Sequence, residues 1–266
     1  MTDTRVPILM YHAISAEPSP ETRELSVSPK AFARQMDLVA EQGRTPLTTA
    51  GLAARWRSGR PLPPRPVLIT FDDGYEGVHH HALPALARHG FPATLFVSTG
   101  WIRGAYDTGG ALDTMLDWDQ VRQLADAGVE IGGHSHSHPQ LDQLADGALR
   151  GELTRCRDLV AEQLGALPVS FAYPYGYSDR RVRVAVREHG FAQALAVGNS
   201  LARRGQGPYA LRRVTVRRRT TDADFTRLLD GHAIGRAFAG DRALTKGYAL
   251  VRRARRAGRR AAGALG

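Results

Sequence analysis

Two neighbouring acids and a run of alternating histidines carry the chemistry available to this sequence. Asp72 and Asp73 stand in Thr70-Phe71-Asp72-Asp73-Gly74-Tyr75, directly after the apolar run Pro66-Val67-Leu68-Ile69. Such a run reads as a buried parallel strand, and the acids fall where it should end. Consecutive strand residues point to opposite faces, so two adjacent acids share a site only if the chain turns. Gly74 permits that turn. Two carboxylates forced together need a cation, a shared proton or water. A cation site is available in His134-Ser135-His136-Ser137-His138. If the strand runs on, all three histidines share a face; if it curls, His134 and His138 meet and His136 points away. Gly132-Gly133 before the cluster and Pro139 after it favour the turn. Two imidazoles at that spacing suit zinc, and Asp73 completes a three-ligand set with positions open to water. The bland alternative is a surface histidine cluster.

The elements that must position these residues follow from the apolar pattern. Residues 6–10, 66–69, 93–97, 129–133, 169–172, 192–197 and 211–216 read as strands without a two-residue period. Between most of them lie helical stretches, such as 29–42 behind the cap Ser28 and 141–165 with a leucine stripe. Asp117 reads as the cap of another helix. Alternating strands and helices give a parallel sheet wrapped by helices, and seven strands approach a (β/α) barrel. The polar clusters sit at the strands' C-terminal ends, where active sites of such barrels are built.

Composition excludes several classes. At 266 residues with 42% hydrophobic content the chain is globular. The net charge of +10 is uneven: from Arg236 onward there are nine Lys and Arg and only Asp241 as an acid. The high pI of 10.4 therefore describes a tail, and no base-reading pattern accompanies it, so nucleic acid is not an expected partner. A basic, mildly amphipathic stretch over 242–266 is expected either as a soluble arm or in peripheral contact with anionic membrane. Cys156 alone forms no internal disulfide and reads as a packed small residue. The N-terminal apolar run is too short for a signal peptide, which makes a cytoplasmic location the default expectation. His79-His80-His81 point three ways on a helix and are set aside as a solvated face.

Thr70-Phe71-Asp72-Asp73-Gly74 resembles the first motif of the polysaccharide deacetylases, the NodB-homology or carbohydrate esterase 4 family. His134-Ser135-x-x-His138 resembles the second, and Phe171-Ala172-Tyr173-Pro174-Tyr175-Gly176 the third. The resemblance implies a deformed (β/α) barrel of about seven parallel strands. It also implies removal of acetyl from an N-acetylated sugar with a divalent metal, zinc first and cobalt or nickel as alternatives. Carried over, Asp72 is the general base and Asp73, His134 and His138 are the metal ligands. The Tyr175 backbone N–H then helps hold the oxyanion. There are two departures. Ala172 stands where the third motif commonly has an arginine, and no Leu-x-His follows residue 201. Leu9-Met10-Tyr11-His12 instead ends the first strand, which is similar to the circularly permuted exopolysaccharide-deacetylase branch and makes His12 the general acid. The alternative for His12 is a buried histidine with a satisfied partner.

The expected organisation is a catalytic domain over 1–235, with its NodB-homology core over about 65–235. Strand 6–12 completes the barrel and a basic tail covers 236–266. A monomer is expected. Tyr11, Tyr75, Trp101, Trp118 and Tyr173 are candidates for stacking on sugar rings or are ordinary core. The rival functions are hydrolysis of a small non-peptide amide and a non-catalytic carbohydrate-binding relative, the latter motivated by the missing arginine.

Overall fold

The computed structural model describes residues 4–256, apart from 233, 242, 244–246, 250 and 253. Eight parallel strands are present: β1 (Ile8–Tyr11), β2 (Thr45–Leu47), β3 (Pro66–Phe71), β4 (Thr94–Val97), β5 (Glu130–Gly133), β6 (Ser170–Ala172), β7 (Gln193–Val197) and β8 (Leu211–Thr215). They hydrogen-bond in the order β1-β8-β7-β6-β5-β4-β3-β2, and β1 also pairs with β3. That extra pairing, Ile8 opposite Leu68 through Tyr11 opposite Phe71, closes seven strands into a barrel. The short β2 lies outside the ring, against the start of β3.

Alternation along each strand sorts the side chains. Ile8, Leu68, Phe96, Ala172, Leu195 and Leu211 fill the barrel interior as one buried cluster. Their neighbours Leu9, Ile69, Phe71, Leu95 and Val214 face the surrounding helices in another. Both faces of each strand are therefore apolar, which is why the sequence shows runs rather than a two-residue period. The helices are α1 (Pro29–Glu41), α2 (Thr49–Ser58), α3 (Leu83–Ala87), α4 (Trp118–Asp126), α5 (Asp146–Leu164), α6 (Arg180–Glu188), α7 (Asp222–Asp230) and α8 (Ile234–Ala237). Ser28, Thr48, Asp117 and Asp179 cap α1, α2, α4 and α6 with their side chains. Such a cap contributes about 1 kcal/mol. Helix α2 closes the N-terminal mouth of the barrel. Its first N–H groups donate to Thr94 Oγ1 and Glu130 Oε2, and Leu52 joins the interior cluster. The opposite mouth is left for the site.

Two elements depart from the periodic pattern. The helix expected from Leu141 begins at Asp146: Leu141–Gln143 form one short 3-10 turn, and Arg181 donates to the Leu141 and Leu144 carbonyls. The segment after Tyr75 forms a wide turn over Val78–Ala82 and then α3, with Pro84 in the first turn, where its missing N–H is harmless.

Candidate active site

The inward register continues past the strand ends and selects the site residues. Leu68 and Thr70 lead to Asp72, Gly132 leads to His134, and Ile8 and Met10 lead to His12. Alternation alone would send Asp73 outward. Its own backbone, at φ 74°, swings it back, and Gly74 follows at φ 106°. The turn expected at Gly74 therefore begins one residue earlier, on the acid itself. A non-glycine residue there costs about 1–3 kcal/mol, so the surroundings must hold it. The Asp73 carbonyl accepts from Ser98 N, and Asp72 O accepts from Gly74 N.

The histidine segment curls in the same way. Ser135 and His138 lie at φ 66° and 58°. Glu152, projecting from α5, accepts from His136 N, Ser137 N and Ser137 Oγ at 2.7–2.9 Å and pins the turn. His136 turns away onto Thr99 Oγ1. His134 and His138 come together with ring centroids 4.9 Å apart.

One ligand atom from each of Asp73, His134 and His138 lies within 4.8 Å of the other two, and among the described residues this is the group able to hold a metal. Asp73 Oδ1 stands 3.3 Å from Nε2 of both histidines. His134 Nδ1 donates to the Ala172 carbonyl at 2.8 Å, so its Nε2 lone pair points at the aspartate. Asp73 Oδ1 is buried and has no geometrically acceptable hydrogen-bond partner. A buried carboxylate oxygen and two imidazole nitrogens gathered at this distance form a donor set for a cation. Ligand atoms tetrahedrally placed at about 2.0–2.1 Å from a zinc-sized ion would lie about 3.3 Å apart. The residues present therefore fit a divalent ion. Burial alone would raise the Asp73 pKa, but the two histidines hold its carboxyl well below the usual range. Burial, and then the nearby Asp73 charge, push the Tyr75 hydroxyl pKa up. His138 is sandwiched between the rings of Trp101 at 4.6 Å and Tyr175 at 4.7 Å.

Asp72 is gripped from the far side of the barrel. Arg213 on β8 donates to both of its oxygens, Nη1 to Oδ1 at 2.5 Å and Nη2 to Oδ2 at 2.7 Å. The guanidinium is fully buried, over the Phe96 ring. Burial raises the Asp72 pKa, Arg213 and then His134 lower it, and the net direction is down. The arginine missing at position 172 is thus supplied by another strand. Ala172, Leu195 and Leu211 are level across β6, β7 and β8, all facing inward, so Arg213 projects from the next inward layer above Leu211. The available signal was Leu211-Arg212-Arg213-Val214, a charge at an inward position of a barrel strand, which needs a buried partner.

His12 stands beside Asp72, since β1 and β3 are paired to their ends and Asp72 N donates to Tyr11 O. Its Nδ1 is buried without a hydrogen-bond partner. Burial pushes its imidazole pKa down, while Asp73 and Asp72 pull it back up, with a net lowering. A cavity of about 420 Å³ opens over these groups, within the size range of small-ligand sites. Met10, Tyr75, Trp101, Tyr175, Thr215 and Arg217 are among its walls. Asp113 closes one rim by accepting from Ser19 N and Thr22 Oγ1, which ties the loop after β1 to the loop after β4.

A family profile described as polysaccharide deacetylase matches residues 59–194. The chain belongs to the polysaccharide deacetylase family. The Bacillus subtilis protein YxkH, named for this family, is 28% identical over 212 residues, covering 80% of this chain and 71% of that one. The poly-β-1,6-N-acetyl-D-glucosamine N-deacetylase of Escherichia coli K12 is 29% identical over 150 residues, 53% of this chain and 22% of that enzyme. The chain thus spans well under half of that relative. In fold it matches the Streptococcus pyogenes deacetylase PplD in complex with acetate, at TM-score 0.77 and 23% identity, covering 86% and 99% of the two chains. IcaB from Ammonifex degensii gives 0.70 and 24%, covering 86% and 97%. Enzymes of this family hydrolyse carbon–nitrogen bonds outside peptides, and the protein is a hydrolase of that class.

Among the aromatic candidates of this deacetylase, Tyr75 and Trp101 line the cavity. Tyr11 packs outside the barrel with its hydroxyl on Gln35, Trp118 joins the helix-facing core, and Tyr173 bonds the Tyr209 carbonyl. Cys156 is buried and its thiol is pushed up to about 12, the value of an inert packed thiol. His79 bonds Gln123 and His80 faces Glu76, away from the site. Part of the segment expected as a free basic arm lies on the barrel. Asp241 pairs with Arg217 at the cavity wall, and Arg252 is buried on Asp142 and Tyr177. Residues 257–266 of that tail lie outside the described residues. Among the described residues no helix is long and apolar enough to cross a membrane.

Proposed function

We propose that the protein is a divalent-metal-dependent N-deacetylase of an acetylated amino-sugar glycan. The observation carrying this reading is one buried carboxylate, Asp73, 3.3 Å from Nε2 of both His134 and His138 while its neighbour Asp72 is held apart by Arg213. Zinc is the first choice for the nitrogen and oxygen ligand set. When bound, such an ion polarises the acetyl carbonyl and lowers the pKa of water beside it. Asp72, ionised because Arg213 outweighs its burial, takes the proton of the attacking water. The Tyr175 main-chain N–H donates to the developing oxyanion. Support for this comes from Tyr175 lining the cavity with its backbone in the left-handed region, at φ 58°.

His12 gives a proton to the departing amine as the carbon–nitrogen bond breaks. An imidazole whose pKa is lowered by burial is the stronger acid once protonated. The products are acetate and a free amino sugar. The non-catalytic reading loses its motive, since Arg213 does what an arginine at 172 would do. Acetate release from N-acetylglucosamine oligomers by zinc- or cobalt-loaded protein tests the proposal. No release from any acetylated glycan would refute it.

A further inference from the structure

A second cavity of about 540 Å³ lies between α6 and the segment around residues 249–256, and arginine dominates its lining. Arg180, Arg183 and Arg187 recur at helical spacing along the exposed face of α6. Arg252 and Arg256 form the opposite wall, and Asp142 and Asp179 are the acids present. Both acids carry an ion pair: Arg252 Nε donates to Asp142 Oδ2 at 2.9 Å, and Arg256 Nη1 to Asp179 Oδ2 at 3.1 Å, while Asp142 Oδ1 is buried without a hydrogen-bond partner. Among the described residues no carboxylate lies within ion-pair distance of Arg180, Arg183 or Arg187. Arg252 is only 6% exposed, its guanidinium lies 3.4 Å over the Tyr177 ring, and its Nη1 is buried without a hydrogen-bond partner. A solvated basic face would leave such a donor in water. A buried, stacked guanidinium with a donor to spare, facing three uncompensated arginines across a cleft, is built for an oxyanion.

One loop borders both the cleft and the catalytic cavity. Tyr175 and Gly176 line the cavity, and Ser178 and Asp179 line the cleft. Three residue steps separate Tyr175 from Ser178, so their Cα atoms are no more than about 11 Å apart. Between them the Tyr177 ring stacks on Tyr175 at 5.8 Å with an interplanar angle of 22°, and Tyr175 in turn covers His138. A chain of ring contacts therefore runs from His138 through Tyr175 and Tyr177 to Arg252, so the metal-ligand group and the arginines are mechanically linked.

We infer that the cleft is a subsite for a phosphate or carboxylate group on the same glycan whose acetyl group is removed in the cavity. The link between the two sites rests on the deacetylase reading; the affinity for an anion does not. A concave, aromatic-flanked cleft favours a soluble anionic glycan over a flat lipid surface.

The test compares wild type with Arg183→Ala/Arg187→Ala, two exposed positions, and with Arg252→Met. Binding of a glycerol-phosphate oligomer, an oligogalacturonate and a neutral chito-oligosaccharide is measured by calorimetry at low and moderate salt. At least one anionic oligomer is expected to bind wild type in a salt-sensitive manner and at least tenfold more weakly to the double variant. The ratio of kcat/KM on anionic and neutral acetylated glycans should fall by a similar factor, through KM. Unchanged anion affinity in the double variant overturns the inference, as does indifference to charge. Binding confined to phosphatidylglycerol vesicles overturns it in favour of a lipid surface. Acetate release from neutral oligomers with no anion effect sinks the subsite alone. Arginine-dependent anion binding without acetate release from any glycan keeps the anion site and sinks the deacetylase reading.

Discussion

The two walls of the catalytic cavity are built by opposite means. The wall from β3, β5 and the loop after β6 carries Asp73, His134, His138 and Tyr175, each within a short motif. Three of these four, with Ser135, sit at positive φ. The wall from β1, β7 and β8 carries His12, Asn199, Thr215 and Arg217 at strand ends or just beyond them, with Arg213 buried behind it on Asp72. On the first wall, local backbone strain gathers ligands from neighbouring positions. On the second, barrel closure brings together residues about 200 positions apart, and Asn199 after β7 is its strained position, at φ 42°, accepting from Thr215 N and Oγ1. On the proposed reading the first wall holds the metal ligands and the base Asp72, and the second supplies His12 as the acid and Arg213 as the partner of Asp72.

Substitutions on the two walls should fail differently. The largest effect is expected from Asp73→Ala or His134→Ala. Loss of the ion should reduce kcat/KM by about 10³-fold or more, with metal content falling in parallel by elemental analysis. A variant that keeps its metal and its rate would move the ion elsewhere. His12→Ala should keep its metal and lose about 10²–10⁴-fold on an N-acetyl sugar. On an activated aryl acetate, whose leaving group needs no proton, the same variant should lose little. Equal losses on both substrates would make His12 a structural residue.

Arg213→Met removes the partner of a buried carboxylate and should destabilise the fold by about 3–5 kcal/mol, read from denaturant unfolding. The sign with pH follows from the depressed Asp72 pKa. The pair's stabilisation is present above the unfolded carboxylate value of about 3.9 and is lost as pH falls through the lower folded value. The stability gap between wild type and variant should therefore close in acid. The acid limb of kcat/KM should move to higher pH in the variant, because Asp72 no longer has its counter-charge. An unmoved limb would detach Arg213 from the base. The smallest effect is expected from Tyr175→Ala, which keeps the N–H. It should change kcat by less than about tenfold, with any larger change falling on KM. A thousandfold fall in kcat would give the ring, not the backbone, the leading role.

The difference between the walls also explains what could be read without coordinates. Asp72-Asp73-Gly74 and the histidine turn announce themselves because acids, imidazoles and glycines crowd a few positions at a strand end. The seven strands were legible for the same local reason, as apolar runs stopped by polar clusters. Arg213 was not, because its meaning lies in register. Only when β8 is placed beside β1, and β1 beside β3, does an arginine in a strand become the partner of Asp72. The docking of Arg252 on Tyr177 was hidden likewise, since a charge-rich tail looks the same whether it floats or stacks. The strain at Asp73 itself was masked by Gly74, the more familiar site for a positive φ.

The most direct test of the account is acetate release from an N-acetylglucosamine oligomer by chelated protein titrated with zinc. The rate should be absent after chelation and return in proportion to ion added, saturating at one equivalent per chain. A chelated, metal-free protein that releases acetate at the full rate would contradict the account.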